Sequence, residues 1–306
     1  MWKRILAAHD KNGGQYELAL DLGCGPAKQA PKLAKLFDET LHVDVSARMV
    51  HAAAAHWQDV RTKTGAKPQF KVGSSSSMPF IKSHSVDLVV SGNAAQYFHP
   101  YSKWWAELQR IVKPGGMVAF WLDVAAFSPR YPGEIVHGFL EDSRITPYQT
   151  FPWKEAFTAL QRIPTPDSEG RPTKLYETSK DIASADGVDS GVWTTERWDW
   201  QANETYQEGD EVAMKVLFGK DELHEMVCSY SMYDKYLHVG NIERKSKLDF
   251  AWQDICDNYP KDKDGREVGK LEFYMPLWLT IVSRKMGSEK GLLVDKSEDV
   301  PNMYVQ

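Results

Sequence analysis

The sequence predicts an α/β protein built on a doubly wound, mostly parallel sheet. Short apolar runs alternate with amphipathic helical segments along the first 124 residues. Strands separated by helical segments of about ten to fifteen residues are typical of βαβ units, whose strands run parallel. The runs are apolar throughout, as expected when helices cover both faces of a sheet. These observations place the core of the fold in residues 1–124.

The first two strands flank a glycine loop. Residues 17–22 form an apolar run that stops at Gly23, and Leu33, Leu36 and Phe37 then follow at helical spacing. Residues 41–45 predict the second strand.

Ser46 is suited to cap the next helix. One side of that helix carries its apolar residues, which are Met49, Val50, Ala53, Ala54 and Trp57.

Three further strands complete the first half. Residues 70–72 and 86–90 predict the third and fourth strands, and residues 101–112 predict a helix. Lys113-Pro114-Gly115-Gly116 is a strong turn signal before a fifth strand at 117–122.

The second half of the chain has weaker patterns. Residues 164–191 are rich in Pro, Gly, Ser, Asp and Lys, which indicates a surface excursion. The expected elements are strands at 192–200 and 211–217, helices at 221–236 and 243–259, and a long apolar strand at 271–282. We expect this last strand to be antiparallel at the sheet edge, pairing with an earlier C-terminal strand.

We therefore divide the chain into a core at 1–124, a helical or irregular cap with the closing strands at 125–286, and a flexible tail at 287–306.

Composition restricts the class of protein. Lys and Arg total 37 against 42 Asp and Glu, a net charge of −5 that argues against a dedicated nucleic-acid binder. The three cysteines are too few and scattered for a disulfide framework or a zinc cluster, so we expect no metal. The apolar runs fall short of the roughly 18 residues of a membrane span. We expect a cytoplasmic protein with no membrane or nucleic-acid partner, in an oligomeric state that the sequence does not indicate.

The glycine loop does not fit a phosphate-binding motif. In the dinucleotide pattern G-x-G-x-x-G counted from Gly23, the last position is Lys28, which is too large for close helix–strand packing. The P-loop pattern G-x-x-x-x-G-K-[ST] does not occur. Both the NAD and the ATP interpretations are weakened.

The loop instead resembles that of class I S-adenosylmethionine (SAM)-dependent methyltransferases. Asp21 precedes Gly23 and Gly25 in a D-x-G-x-G-x-G pattern that has Ala27 in the third glycine place. Asp44 follows at the end of the second strand. Stretches that resemble the trans-aconitate methyltransferase branch are residues 70–80, 85–90 and 94–98, with weaker likeness at 127–132 and 271–284.

This resemblance implies a seven-stranded, Rossmann-like methyltransferase sheet that binds SAM. The loop would hold the amino-acid part of the cofactor, and Asp44 would accept the two ribose hydroxyls. The cofactor-binding residues it implies are Asp21, Gly23, Gly25, Asp44, Ser74, Ser75 and Asn93. Ser74 stands where many relatives carry Asp, and Gln96 and Tyr97 replace a His-Trp pair.

The family transfers methyl groups to carboxylates or related oxygens of small molecules. A carboxylate acceptor is already ionised at neutral pH and needs no base, whereas a hydroxyl would make His99 useful as a general base. Arg130 and Arg144 are candidates for binding a carboxylate bidentately.

Tyr97 and Trp104 are further acceptor candidates. Trp104 and Trp105 are adjacent on one helix, so we expect only one of them to face the core. Two alternatives stay open: a non-catalytic SAM-fold binding protein, and an enzyme that retains SAM while catalysing a rearrangement in secondary metabolism.

Overall fold

The computed structural model describes residues 1–123, 143–148, 163, 165, 192–198, 213–228, 231–240 and 250–287. The strands are β1 Leu18–Leu22, β2 Glu39–Asp44, β3 Gln69–Val72, β4 Val86–Gly92, β5 Val112–Asp123, β6 Trp193–Trp198, β7 Ala213–Phe218 and β8 Leu271–Arg284. The helices are α1 Trp2–Lys11, α2 Ala30–Leu36, α3 Ala47–His56, α4 Tyr101–Ile111, α5 Lys220–Cys228, α6 Ser231–Gly240 and α7 Phe250–Asn258.

The strands form one mixed sheet in the order β3-β2-β1-β4-β5-β8-β6. β1 to β5 are mutually parallel, and β8 is antiparallel to β5 and β6. An eighth strand, β7, pairs with the first half of β8. The predicted seven-stranded, mostly parallel sheet with an antiparallel C-terminal edge is confirmed, with β7 as an addition.

Both faces of the sheet are covered by helices. Leu20, Val89 and Phe120 pack with the buried residues of α4 on one face. Ala19 and Leu88 belong to the cluster on the other face, which includes residues of α1 and α2. The buried apolar strands therefore have the double winding that their continuous hydrophobicity predicts.

The long last strand is not at the sheet edge, contrary to our expectation. β8 pairs with β5 through residues 277–283 and with β6 through residues 279–284, so it lies between them. The expected pairing with an earlier C-terminal strand is confirmed by β6 and β7. A strand that satisfies its hydrogen bonds on both sides cannot be an edge, and β6 takes that position.

Two local predictions are also corrected. The Pro-Gly-Gly segment does not separate α4 from β5, because β5 begins at Val112 and includes the segment. The pairing with β4 shifts register there: Val86 pairs with Val112, but Leu88 pairs with Met117. Gly115, at φ +84°, lies within this irregularity. The single helix expected at 221–236 is two helices, α5 and α6.

Residues 288–306 of the expected tail and all of 166–191 lie outside the described residues, and the domain division stays a prediction.

The tryptophan pair of α4 is buried as a unit. Trp104 and Trp105 are both fully buried, contrary to the expectation that only one would face the core. Trp104 contacts Phe120 at 5.7 Å between ring centroids, and Trp105 contacts Trp193 at 6.1 Å. Val192 and Trp193, at the start of the edge strand β6, therefore cover a side of α4 that would otherwise be exposed to solvent.

Helix α1 was not predicted from the sequence. Its Ile5 is fully buried, and Trp2 meets Trp121 of β5 edge-on at 6.0 Å. The following Asn12 donates its side-chain N–H to the carbonyl oxygens of Gly115 and Arg284, at 2.9 Å each. These long-range contacts hold α1 against the sheet, and its apolar pattern is too short to predict the helix from sequence alone.

We predict that Ile5→Ala destabilises the protein by about 2–5 kcal/mol, because it leaves a cavity between α1 and the sheet. Urea unfolding followed by circular dichroism measures this. Lys11→Ala on the exposed side of α1 is the control and should change the free energy of unfolding by less than about 0.5 kcal/mol. A loss below 1 kcal/mol for Ile5→Ala, on the order of a surface substitution, would contradict the docking of α1.

Candidate functional site

The glycine loop lies at the point where the strand order reverses. β1 has β2 on one side and β4 on the other, and ligands of open α/β sheets bind in the crevice outside the carboxyl ends of such strands. A Cβ on Gly23 would lie 2.5 Å from the Cβ of Ala94 and 3.1 Å from the ring of Phe98. Gly23 also has φ +68°. The segment after β4 therefore packs directly on the loop, and only glycine fits there.

The backbone amides of the loop are already used. Gly23 N and Cys24 N donate to the carbonyl oxygen of Val43, at 2.8 and 3.0 Å. Gly25 N donates to Asp44 Oδ2 at 2.8 Å. A phosphate-binding loop directs its free N–H groups at an anion, so this loop, which faces a carboxylate, is a poor phosphate site. These bonded amides weaken the NAD and ATP interpretations further.

Gly25 leaves open space beside the loop. No heavy atom lies within 4 Å of a Cβ built on Gly25, in contrast to the crowding at Gly23. Ala27, in the third glycine place, has φ +52°, a left-handed conformation that usually belongs to glycine. The loop therefore keeps the backbone course of the three-glycine pattern although its third residue has a side chain.

Asp44 ends β2 and joins two segments of backbone. Its Oδ2 accepts from Gly25 N, and its Oδ1 accepts from Ser46 N at 2.8 Å. Ser46 in turn caps α3, since its side chain accepts from Met49 N, as predicted. A carboxylate offers about four acceptor sites, so Asp44, which is partly exposed, retains capacity for a ligand with two hydroxyl groups.

Asp21 has a different environment from the one implied by the sequence. Its carboxylate is buried, and its Oδ2 lies 3.0 Å from His42 Nδ1. His42 Nε2 lies 3.3 Å from Thr40 Oγ1, and the imidazole stacks on Phe70. Asp21 and His42 are register neighbours on β1 and β2, a contact that sequence reasoning missed and that only strand pairing reveals.

The serine segment lies beside Asp44. Gly73 N donates to the backbone oxygen of Asp44 at 3.0 Å, which brings the following Ser74 and Ser75 to the end of β2. The Ser74 hydroxyl lies 3.0 Å from the Ser76 hydroxyl and is exposed. Ser74 and Ser75 are thus near the other candidate cofactor residues, as the sequence predicts.

An apolar rim borders the same end of the sheet. We give this name to four side chains near the ends of β2 and β3 that are exposed although apolar, namely Val45, Met49, Val72 and Phe80. Val45 directly follows Asp44 and is 73% exposed. Apolar side chains gathered at one exposed place indicate a surface that binds a ligand.

The segment after β4 contains the remaining candidates near the loop. Asn93 has φ +56°, and its backbone N–H donates to the carbonyl oxygen of Trp121 at 2.8 Å. Tyr97 is exposed, and His99 is partly buried with its ring 4.1 Å from that of Tyr101. Gln96 is buried, and its departure from the family pattern was the only feature of the sequence that marked it.

The other candidates do not gather at this crevice in the described part of the chain. Arg144 pairs with Asp254 at 3.3 Å and lies over the ring of Phe250 at 3.7 Å. Arg130 lies outside the described residues.

The loop cysteine is a poor nucleophile. Burial raises the pKa of the Cys24 thiol, and nearby Asp21 and Asp44 raise it further.

The described residues contain no group of three or more His, Cys, Asp or Glu side chains arranged to hold a metal ion. Within the same residues, every helix is too short or too polar to cross a bilayer.

We predict that the two loop glycines respond differently to alanine. Both substitutions strain a positive φ by about 1–2 kcal/mol, but Gly23→Ala also forces Ala94 and Phe98 to move. Thermal and urea unfolding should show a clearly larger loss of stability for Gly23→Ala than for Gly25→Ala. Equal losses of stability in the two variants would mean that residues 94–98 do not pack on the loop at Gly23.

Part of the chain is similar to a known family. Residues 20–120 match the family model described as a methyltransferase domain. A comparison with curated proteins found no match. Among solved structures, YcgJ from Bacillus subtilis has 15% identity and a TM-score of 0.43, with 94% of this chain and 100% of that chain covered.

Two further structures are SAM-dependent methyltransferases by their descriptions. The protein from Aquifex aeolicus has 19% identity and a TM-score of 0.34, with 40% of this chain and 63% of that chain covered. The protein from Clostridium acetobutylicum has 22% identity and a TM-score of 0.32, with 40% and 48% covered. The chain thus spans less than two thirds of the length of either protein.

The family match covers the glycine loop, Asp44 and the segment after β4. It supports a SAM-dependent methyltransferase and points to S-adenosylmethionine as the cofactor. The narrower likeness to the trans-aconitate branch stays a prediction.

Proposed function

We propose that this protein transfers the methyl group of SAM to an oxygen of a small organic molecule, with a carboxylate as the leading acceptor. The observation that carries the proposal is the open space at Gly25 beside the partly exposed carboxylate of Asp44, at the crevice between β1 and β4.

The residues of the crevice fit the chemical parts of SAM. Gly25 offers space for the amino-acid part, and the spare acceptor sites of Asp44 suit the two ribose hydroxyls. The apolar rim suits a flat adenine ring. SAM carries no phosphate, which agrees with loop amides that are already bonded to Val43 and Asp44.

Bound SAM would supply a methyl group on a positively charged sulfur. The acceptor oxygen attacks the methyl carbon in line, and the sulfur leaves as a neutral thioether. The chain's own contribution is to hold both reactants in that alignment and to exclude water, which can lower the barrier by about 7–11 kcal/mol in well-oriented systems. No protein nucleophile is needed, consistent with the buried, high-pKa thiol of Cys24.

The acceptor class rests on the family resemblance. A carboxylate reacts in its ionised form and needs a cation to orient it, a role that we assign to Arg130. Arg144 is less suited to this role, because its guanidinium group pairs with Asp254. Tyr97 and Asn93, both exposed after β4, are the described side chains best placed to line the acceptor site. A hydroxyl acceptor would require a base, for which His99 is the candidate.

We predict that Asp44→Ala weakens SAM binding by about 1.5–3 kcal/mol, because charged hydrogen bonds to the ribose are lost. Isothermal titration calorimetry measures the affinity directly.

Asp38→Ala is the matched control for Asp44→Ala. Asp38 is a partly exposed carboxylate that pairs with Lys63 directly before the same strand, and its removal should leave SAM binding unchanged. An unchanged affinity in Asp44→Ala would show that the ribose is bound elsewhere.

A second prediction concerns the acceptor. With labelled SAM and a panel of polycarboxylates, methyl transfer should vary little between about pH 7 and pH 9, because every carboxyl group of such acceptors is ionised in that range. His99→Ala should then keep most of the rate.

Transfer only to hydroxyl compounds, with a loss of roughly 100-fold or more in His99→Ala, would favour a base-assisted reaction. SAM binding without transfer to either class would favour the non-catalytic alternative.

A further inference from the structure

One buried polar atom near the loop has no protein partner. Gln96 is 4% exposed, and its Nε2 donates to the backbone oxygen of Asn93 at 3.1 Å. Its Oε1 is buried, and no described residue donates a hydrogen bond to it. The amide cannot be turned around, because that would place Oε1 against the Asn93 carbonyl oxygen, and two acceptors repel.

An unsatisfied buried carbonyl is costly. Leaving such a group without a donor costs about 1–3 kcal/mol, whereas an apolar side chain of similar shape would not carry this penalty. Buried polar groups in native proteins nearly always have partners, so an exception calls for a functional explanation.

The position of Gln96 supplies that explanation. It lies in the short turn between Ala94 and Phe98, the two residues that pack against Gly23. The unpartnered oxygen therefore belongs to the segment that borders the loop at the crevice between β1 and β4.

Three other buried polar atoms on this side of the sheet lack partners among the described residues, but they differ in chemistry. The Ser91 hydroxyl can donate or accept, and the indole Nε1 atoms of Trp104 and Trp193 can only donate. Only Gln96 presents a pure acceptor, whose partial negative charge favours a cation and disfavours an anion.

We propose that Gln96 Oε1 is a positioning group that recognises the positive charge of the cofactor's sulfonium. This inference rests on the proposed function, in which SAM binds at the loop. The sulfur joins the amino-acid part of SAM to its ribose, so a cofactor held by both Gly25 and Asp44 has its sulfur in the crevice that the Gln96 segment borders.

The charge disappears when the methyl group leaves, since S-adenosylhomocysteine is a neutral thioether at this position. In a buried, low-dielectric setting a carbonyl dipole acts strongly on a nearby charge. Gln96 therefore favours the substrate form of the cofactor over the product form, which assists product release.

The test compares charged and neutral cofactors in Gln96→Met, which keeps the length of the side chain but removes the carbonyl. Calorimetry gives the affinities of SAM, of S-adenosylhomocysteine, and of sinefungin, in which a protonated amine replaces the sulfonium. We expect the preference for SAM over S-adenosylhomocysteine to fall roughly tenfold, with sinefungin following SAM.

The loss of the bond to Asn93 affects all three ligands alike, so the ratio of affinities isolates the charge. Trp193→Phe is the matched control: it removes an unpartnered donor from the same side of the sheet, and the ratio should not fall. Thermal unfolding verifies that each variant is folded, and Gln96→Leu replaces Gln96→Met if the latter is not.

An unchanged ratio in a folded Gln96 variant would overturn the inference while leaving the proposed function intact. Failure of the unmodified protein to bind either SAM or S-adenosylhomocysteine would instead reject the proposed function, and the inference with it.

Discussion

The hydrogen bond from Gly25 N to the Asp44 carboxylate is the interaction on which the site depends. It joins the loop after β1 to the end of β2, so the position of each is set by the other. The same carboxylate accepts from Ser46 N and thereby fixes the start of α3. A single acidic side chain thus determines the loop course, the strand end and the helix start, and it still retains acceptor capacity toward the crevice.

The electrostatic character of the crevice follows from this arrangement. Loop amides that would otherwise attract an anion are bonded to Val43 and Asp44, and the carboxylate of Asp21 is buried beneath them beside His42. The unpartnered carbonyl of Gln96 adds further negative character at the same edge. Such surroundings disfavour phosphates and favour a ligand that combines hydroxyl groups with a positive charge, which describes a sulfonium nucleoside.

Local patterns in the sequence predicted what depends on local structure. The βαβ alternation, the loop at Gly23, the role of Ser46 as a helix cap and the position of Asp44 all follow from residues close together in the chain. The contacts that were missed or misjudged are long-range. His42 meets Asp21 only because β1 and β2 pair in one register, and Trp105 is buried only because Trp193 covers it. Helix α1 and the inner position of β8 likewise depend on partners more than 100 residues away.

A crystal structure of the protein with S-adenosylhomocysteine would show where the nucleoside binds. We expect density for it in the crevice between β1 and β4, with both ribose hydroxyls on the Asp44 carboxylate and the amino-acid part beside Gly25. We also expect Gly25 N to stay bonded to Asp44 in the complex. An empty crevice at saturating ligand, or a ribose bound away from Asp44, would contradict this binding site.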